Sequence, residues 1–412
     1  MNYPASIGTD KELASRLSQF FTTERIESIA RSTKFVERSS TRLTGLMFLQ
    51  MNTFYLARGE ERSLNEQCEY LEDTFGLKLK KQSLDERYNT YSVAFMKGCY
   101  EALLSEVLQP YIQAVEGNSR EYAFKGIELI DATAFDLSSS LAVFYKGGGN
   151  VDSTIKLQHR YELLKGETVG IKIVSGHEND SCYLQDLEKS LIEGRLYIKD
   201  LGYYSLEHLQ KIDKNQSYFL SRYRICTNCY KKNEKGEYEE VYMKDLVPEY
   251  GQNKDIAEIY LGKKKVKVRM VIQSVPEEHI EKRKKRVIRK NKTNYSKTLH
   301  EDSILLCSFN VYITNAQEEL LPYEEIRLLY ALRWQIELIF KIWKSVFDID
   351  KVKQMNIFRF ECYLYGRLMA ILLSEKIQNL YKDYLWEEEN LEVSEYKCAK
   401  ILKKNSTNLE KL

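Results

Sequence analysis

The first 115 residues place hydrophobic side chains at every third or fourth position, a spacing that predicts amphipathic helices. From residue 116 the pattern changes to short apolar runs bounded by glycine and polar residues, which predicts strands. Three such runs are GIELIDATAFDL, TIKLQHRYEL and TVGIKIVSG, and two more, RLYIKDLGYYS and SYFLSRYRI, alternate with predicted helices. Three strands, a helix, a strand, a helix and a strand indicate a mixed sheet flanked by helices.

Within the helical part, residues 63–89 contain a possible DNA-reading motif. Ser63 is followed three residues later by Glu66, which is the spacing of a capping box at a helix start. Gly76 interrupts the helical pattern, and Ser83 is expected to cap a further helix. A helix, a glycine turn and a second helix predict either a helix-turn-helix or a plain helical hairpin, and the sequence leaves both open.

Residues 223–318 interrupt the core pattern with alternating runs typical of antiparallel strands: GEYEEVYMKDL, KVKVRMVIQSV and SILLCSFNVYITN. Between the last two lies KRKKRVIRKNK, residues 282–292, which has eight basic residues and no acidic one. Such a run is either a solvated loop or a surface for phosphates, and the nearby KKKVKVR favours nucleic acid. We therefore expect a basic loop whose DNA-contacting residues are Lys282, Arg283, Lys284, Lys285 and Arg286.

After this insertion, residues 323–347 predict one continuous amphipathic helix. Its apolar side is formed by Leu332, Ile336, Ile339, Phe340, Trp343 and Phe347. On the opposite side four polar residues share an arc of about 60°, and these are Tyr330, Arg333, Glu337 and Lys344. A second helix is predicted over residues 356–386.

Overall composition restricts the setting more than the function. The net charge of +2 is uninformative, and no signal segment or membrane span is expected. Among eight cysteines only Cys226 and Cys229 have the C-x-x-C spacing. Without a second pair or histidines at ligand spacing, a zinc site is disfavoured, and thiols in a reducing cytoplasm are expected.

Three carboxylates are candidates for chemistry. Asp131 follows the apolar run GIELI and Asp200 follows RLYIK, so each is expected near the C-terminal end of a buried strand. If Glu337 meets them, the three oxygen donors suit one or two Mg²⁺ ions, which support phosphodiester chemistry. Each residue also has a structural interpretation, as a turn or helix cap for the aspartates and as an ion-pair partner of Arg333 for Glu337.

The spacing Tyr330-x2-Arg333-x3-Glu337-x6-Lys344 resembles the Y-R-E-K signature of DDE transposases of the bacterial insertion-sequence-four family. IDATAF and DLGYYS resemble the strands of the family's two aspartates, and RMVIQSVPEEHIEKRKKR and NVYITNA resemble its insertion and the return to the core. The similarity spans residues 10–385. It implies an α/β, RNase H-like core in two parts, 116–222 and 319–385, around a β-rich insertion, 223–318, with an all-helical DNA-binding domain, 1–115, and a tail, 386–412.

The resemblance also implies roles for individual residues. Asp131, Asp200 and Glu337 would be the catalytic metal ligands, for two Mg²⁺ or Mn²⁺ ions. Tyr330, Arg333 and Lys344 would hold the DNA end, and Lys341, on the same face, would assist.

The implied activity is cut-and-paste transposition, through a hairpin, by a cytoplasmic, nucleoid-associated bacterial protein. The substrates would be double-stranded element ends and target DNA, brought together by a homodimer. Two alternatives stay open: a catalytically inactive DNA-binding repressor, or a stand-alone nuclease of the same fold. The three tryptophans, at 334, 343 and 386, lie outside the insertion, so no base-flipping residue is assigned.

Overall fold

The computed structural model describes residues 22–37, 42–56, 62–115, 124–293, 301–389, 391 and 394–404. The start of the predicted N-terminal domain and the end of the predicted tail lie outside these ranges. The described strands are β1 (Ile127–Asp136), β2 (Thr154–Glu162), β3 (Glu167–Ser175), β4 (Leu196–Lys199), β5 (Tyr218–Arg222), β6 (Cys229–Lys232), β7 (Tyr238–Val241), β8 (Lys254–Leu261), β9 (Val266–Ser274) and β10 (Phe309–Thr314).

Helices precede, interrupt and follow these strands. In chain order they are α1 (Thr23–Ser32), α2 (Gly45–Gln50), α3 (Leu64–Phe75), α4 (Lys81–Arg87), α5 (Thr90–Val115), α6 (Leu184–Glu188), α7 (Leu206–Lys214), α8 (Met243–Leu246), α9 (Glu277–Thr293), α10 (Glu301–Leu305), α11 (Tyr323–Leu332), α12 (Trp334–Ser345), α13 (Ile357–Glu389) and α14 (Glu395–Lys404). Every helix within the described ranges is too short or too polar to cross a bilayer.

All ten strands form one mixed sheet in the order β3-β2-β1-β4-β5-β10-β9-β8-β6-β7. β1 pairs with β2, and β2 with β3, in antiparallel fashion, whereas β4 lies parallel to both β1 and β5. The predicted mixed sheet flanked by helices is therefore confirmed. The strands from the interrupting segment extend this sheet, because β10 pairs with β5 on one side and with β9 on the other.

Alternate residues of the central strands supply two hydrophobic cores, as the two-residue period of a strand requires. Leu129 and Ile198 face a core that contains the apolar side of α12, the helix α13 and the N-terminal helices. Ile130 and Tyr197 face a second core with α6, α7 and strands β8 to β10. Gly366 of α13 allows the N-terminal helices to approach closely, since a Cβ atom there would overlap the carbonyl of Asn52. Both faces of the sheet are thus covered by helices.

Two predicted elements beyond β9 are wrong. The basic run 282–292 lies on α9 instead of a loop. SILLCSFNVYITN begins within α10, which ends at Leu305, so that only Phe309–Thr314 forms the strand β10. Lysine and arginine have high helix propensity, and Glu277 and Glu278 in the first turn of α9 favour the helix dipole. Buried Ile280 then fixes this helix to the protein.

The candidate helix-turn-helix is present in part. Ser63 and Glu66 form the predicted capping box of α3, and Gly76 ends that helix in the left-handed conformation, at φ 66°. However, α4 begins at Lys81 and is only seven residues long, so Ser83 lies inside the helix and does not cap it. Contact of this pair with DNA stays a prediction.

A buried hydrogen-bond network behind α12 positions that helix on the sheet. The His159 ring nitrogen Nε2 lies 2.9 Å from the Thr168 hydroxyl, which donates to Glu375 of α13 at 2.8 Å. Glu375 also accepts from the indole nitrogen of Trp343 at 3.4 Å, and the rings of Trp343 and His159 lie 4.7 Å apart. Because His159 is the ladder partner of Asp131, this network ties α12 and α13 to β2 and β3, next to the strand that contains Asp131.

Replacing Glu375 with glutamine should flatten the pH dependence of stability. Burial raises the pKa of Glu375 from its ordinary 4.5 to about 7. The folded protein therefore holds this proton more tightly than the unfolded chain, and stability falls as pH rises from about 4.5 to about 7. We expect Glu375→Gln to remove about 3 kcal/mol of that fall, measured by urea unfolding at several pH values.

The matched control is Glu324→Gln, an exposed carboxylate at the start of α11, which changes the net charge by the same amount. Equal slopes for wild type and Glu375→Gln over this pH window would contradict the assignment.

Candidate active site

The two aspartates are neighbours because their strands are paired in parallel. The β1–β4 ladder ends with Ile130 opposite Lys199, so Asp131 and Asp200 follow directly on adjacent strands, which are about 5 Å apart. Asp200 comes just after β4, as predicted, and starts a turn of 3₁₀ helix. The predicted place of Asp131 is wrong: it lies in the middle of β1, which continues to Asp136 because β2 pairs alongside it.

The predicted helix 323–347 is divided into α11 and α12 at Arg333. Its backbone N–H donates to the carbonyl of Tyr330, three residues back, at 3.2 Å, which tightens the chain at this point. The apolar side of α12 is buried as predicted, with Ile336 and Trp343 at 0% and 1% exposure. The polar residues on the other side therefore face the part of the sheet where the aspartates lie.

Arg333 joins two of the three candidate carboxylates. Its Nη1 atom lies 2.5 Å from Oδ2 of Asp131, and its Nη2 atom lies 2.9 Å from Oε1 of Glu337. The other oxygen of Asp131, Oδ1, accepts the backbone N–H of Ala132 at 2.8 Å. The ion pair of Glu337 with Arg333, one of the two interpretations of this glutamate, is thus present, but the same guanidinium also reaches the sheet.

Charged side chains influence one another around Asp131. Burial raises the pKa of Asp131 to about 6, the Ala132 amide and Arg333 oppose the rise, and the nearby charges of Asp200 and Glu337 add to it. Burial likewise raises the pKa of Tyr330 to about 12, with Arg333 acting against the rise and Asp200 with it. The five side chains therefore interact electrostatically in one place.

Carboxylate oxygens are the donors that Mg²⁺ and Mn²⁺ prefer, so the chemistry of this donor set fits such ions. As the side chains are placed, no three acidic, histidine or cysteine residues in the described ranges form a ready metal cluster. Both oxygens of Asp131 already accept hydrogen bonds, and the positive charge of Arg333 beside Oδ2 opposes a metal ion there.

The remaining predicted residues of the helix have separate surroundings. Lys344 donates to the carbonyl of Ala134 on β1 at 2.9 Å, and the ring of Tyr330 packs on Tyr312 with centroids 5.3 Å apart. Lys341 is exposed, near the last helix. Their roles in DNA binding stay predictions.

The basic residues of α9 divide by orientation. Lys282, Lys285 and Arg286 are exposed, Lys284 pairs with Glu281 at 3.1 Å, and Arg283 turns inward to donate to Asn310 of β10 at 2.9 Å. The helix therefore presents part of its charge to solvent and directs one arginine toward the sheet.

An arginine cluster, consisting of Arg222, Arg283 and Arg327, lies beside the carboxylates. Arg222 of β5 is the ladder partner of Tyr312 on β10. Arg283 donates to Asn310, which lies two residues before Tyr312 and on the same side of β10. Arg327 lies one helical turn before Tyr330, whose ring packs on Tyr312. Burial lowers the pKa of Arg283, and the charges of the other two arginines lower it further.

None of the three arginines forms an ion pair with a described carboxylate, so no direct ion pair within the described chain offsets their mutual repulsion. Such an arrangement suits an anion. Sequence reasoning found Arg283 but missed Arg222 and Arg327. The spacing of Arg327, three residues before Tyr330, was the available signal, whereas nothing local marks Arg222.

Comparison with known proteins places this geometry in context. The family model for the transposase DDE domain matches residues 123–373. The transposase for insertion sequence element IS1151 of Clostridium perfringens is 34% identical over 413 residues, covering 94% of this chain and 85% of that protein. The transposase for IS231F of Bacillus thuringiensis subsp. israelensis is 32% identical over 405 residues, covering 94% and 84%. Among solved structures, a piggyBac transposase synaptic complex with hairpin DNA matches with a TM-score of 0.49 and 10% identity, covering 96% of this chain and 80% of that one.

Proposed function

This chain belongs to the DDE transposases of the bacterial insertion-sequence-four family, and we propose that it binds the terminal inverted repeats of its element and cuts and joins DNA through Asp131, Asp200 and Glu337. The observation that carries the proposal is Arg333, which bonds at once to Glu337 and to Asp131, on the strand next to the one that Asp200 follows. Arg333 thus brings together carboxylates that lie far apart in the chain, and carboxylates are the ligands that metal-dependent phosphodiester chemistry needs.

In the proposed mechanism the three carboxylates hold two Mg²⁺ or Mn²⁺ ions. Bound there, the ions would activate the attacking water or 3′-hydroxyl and neutralise charge on the scissile phosphate. The chain's own task is positioning. Arg333 can grip a phosphate with its planar fork, Lys344 can do so as a point charge, and the Tyr330 hydroxyl can donate to a phosphate oxygen.

The proposed core is RNase H-like, supported by three antiparallel strands followed by two parallel ones in the order β3-β2-β1-β4-β5. The helices before residue 115 and the basic helix α9 are proposed to bind element ends, and a homodimer is proposed to pair two ends before a hairpin is formed. A repressor without catalysis is disfavoured, because a protein that only binds DNA has no use for the three proposed metal ligands, Asp131, Asp200 and Glu337.

The first prediction separates binding from chemistry. Glu337→Gln should bind end DNA as the wild type does, while cleavage in Mg²⁺ falls at least about a hundred-fold, the scale expected when one member of a catalytic group is lost. A gel-shift assay in Ca²⁺ and a nicking assay in Mg²⁺, on a duplex carrying the element's own end, measure the two effects. Glu324→Gln, on the neighbouring helix, is the control that should retain both. Wild-type cleavage by Glu337→Gln would remove this glutamate from the active site.

The second prediction concerns the arginine cluster, which we propose binds a backbone phosphate near the cleavage site. Arg222→Gln and Arg327→Gln should each weaken DNA binding and reduce the slope of log affinity against log salt by about 1. Fluorescence anisotropy of a labelled duplex at several salt concentrations gives that slope. Lys189→Gln removes an exposed charge next to α6, on the other face of the sheet, and should leave it unchanged.

The same measurement tests the outward residues of α9. Replacing Lys282, Lys285 and Arg286 together with glutamine should reduce the slope by about 3 if each contacts a phosphate. A slope equal to that of the wild type would make α9 a solvated surface helix with no part in DNA binding.

A further inference from the structure

The carboxylate site is closed by the protein's own arginine. Oδ1 of Asp131 accepts a hydrogen bond from the Ala132 amide, and Oδ2 accepts one from Nη1 of Arg333. Nη2 of the same guanidinium donates to Oε1 of Glu337. A carboxylate oxygen has two lone pairs, so these hydrogen bonds alone do not exclude a metal ion. A divalent cation on the same oxygens would, however, lie beside the guanidinium, and their like charges repel each other. Arg333 in this position therefore opposes metal binding at Asp131 and Glu337.

Arg333 is a strong competitor because its contacts are largely removed from water. The side chains of Arg333 and Asp131 are only 12% and 18% exposed, so their charge-assisted hydrogen bond is little screened. Glu337 is more open, at 39%. Displacing the guanidinium without offering it another anion would leave a poorly solvated charge unpaired, which is costly.

The closed position nevertheless leaves Arg333 incompletely satisfied. A guanidinium has five N–H donors, and its Nε atom is buried here without a hydrogen-bond partner among the described residues. The side chain also sits at the break between α11 and α12, where the helix does not continue regularly. A second placement, in which the fork holds a phosphate, would give these donors a partner.

We propose that Arg333 keeps the carboxylate site closed in the DNA-free protein, and that a backbone phosphate of bound DNA draws its guanidinium away and opens the site to metal. The proposal rests on the proposed function of Asp131 and Glu337 as metal ligands. Its consequence is positive coupling: DNA strengthens metal binding and, by thermodynamic reciprocity, metal strengthens DNA binding by the same factor. Loading of the site is thereby favoured in protein that already holds DNA.

The direct test measures Mn²⁺ binding to the full chain without DNA, by the electron paramagnetic resonance signal of unbound Mn²⁺. Arg333→Gln removes the competitor and should bind Mn²⁺ about ten-fold or more tightly than the wild type, within the 5- to 150-fold range typical of such couplings. Lys189→Gln removes an exposed positive charge on the other face of the sheet and should change the affinity little. An affinity for Arg333→Gln equal to or weaker than that of the wild type overturns the proposal.

Arg333→Lys separates blocking from general charge and guards against misfolding of the glutamine variant. Its ammonium keeps the charge but lacks the fork that reaches both carboxylates, so its Mn²⁺ affinity should lie between those of wild type and Arg333→Gln. An affinity equal to that of the wild type would mean that net charge, and not the bridging contact, controls metal binding. Circular dichroism and thermal melting establish that each variant is folded.

The second arm measures coupling through DNA affinity, by anisotropy of a labelled end duplex with and without Ca²⁺ at constant ionic strength. The wild type should gain affinity from Ca²⁺, and Arg333→Gln should lose most of that gain. No gain in the wild type overturns the proposal. A full gain in Arg333→Gln does so too, because the coupling would then come from phosphate oxygens that bind the metal directly. Asp131→Asn distinguishes the underlying function: if it binds Mn²⁺ like the wild type, the proposed ligand set itself is wrong.

Discussion

Parallel pairing of β1 with β4 is the constraint on which the proposed active site depends. It fixes two carboxylates side by side on rigid backbone, although 69 residues separate Asp131 from Asp200. Asp131 lies within a strand and Asp200 directly follows one, and a site supported by strands is held more precisely than one built on loops. The antiparallel pairing with β2 continues β1 beyond Asp131, so that this aspartate is itself paired, opposite His159.

Glu337, the third carboxylate, reaches the aspartates only because α12 lies over the sheet in one position. Apolar packing alone would tolerate sliding and rotation of the helix, since hydrophobic contact has little directionality. The hydrogen bonds of Trp343 and Thr168 to Glu375 do have direction, and they connect α12, β3 and α13 in a buried environment. Directional hydrogen bonds in a buried environment favour a single packing arrangement. The cost is a carboxyl group whose pKa is raised by burial to about 7.

Carboxylates placed close together repel each other, so they need positive partners in each state of the protein. In the structure Arg333 pairs with two of them, and in the proposed catalytic state metal ions would do so instead. The neighbouring arginine cluster has the opposite excess, since its three guanidinium groups have no described carboxylate partner. Negative and positive groups thus lie side by side across Tyr330, which interacts with both Asp200 and Arg222. A DNA phosphate is the kind of group that satisfies both needs at once.

The sequence by itself determined what depends on neighbours along the chain. The capping box at Ser63, the five core strands and the apolar and polar sides of α12 follow from local spacing, and so does the family through its Y-R-E-K signature. Tertiary structure decided what depends on distant partners. β1 continues past Asp131 because β2 pairs with it. The predicted helix is interrupted at Arg333, whose side chain reaches Asp131. The arginine cluster comes from β5, α9 and α11, whose meeting no local spacing records. Charged side chains are placed by the partners that fold brings to them, and those partners lie too far along the chain for periodicity to show.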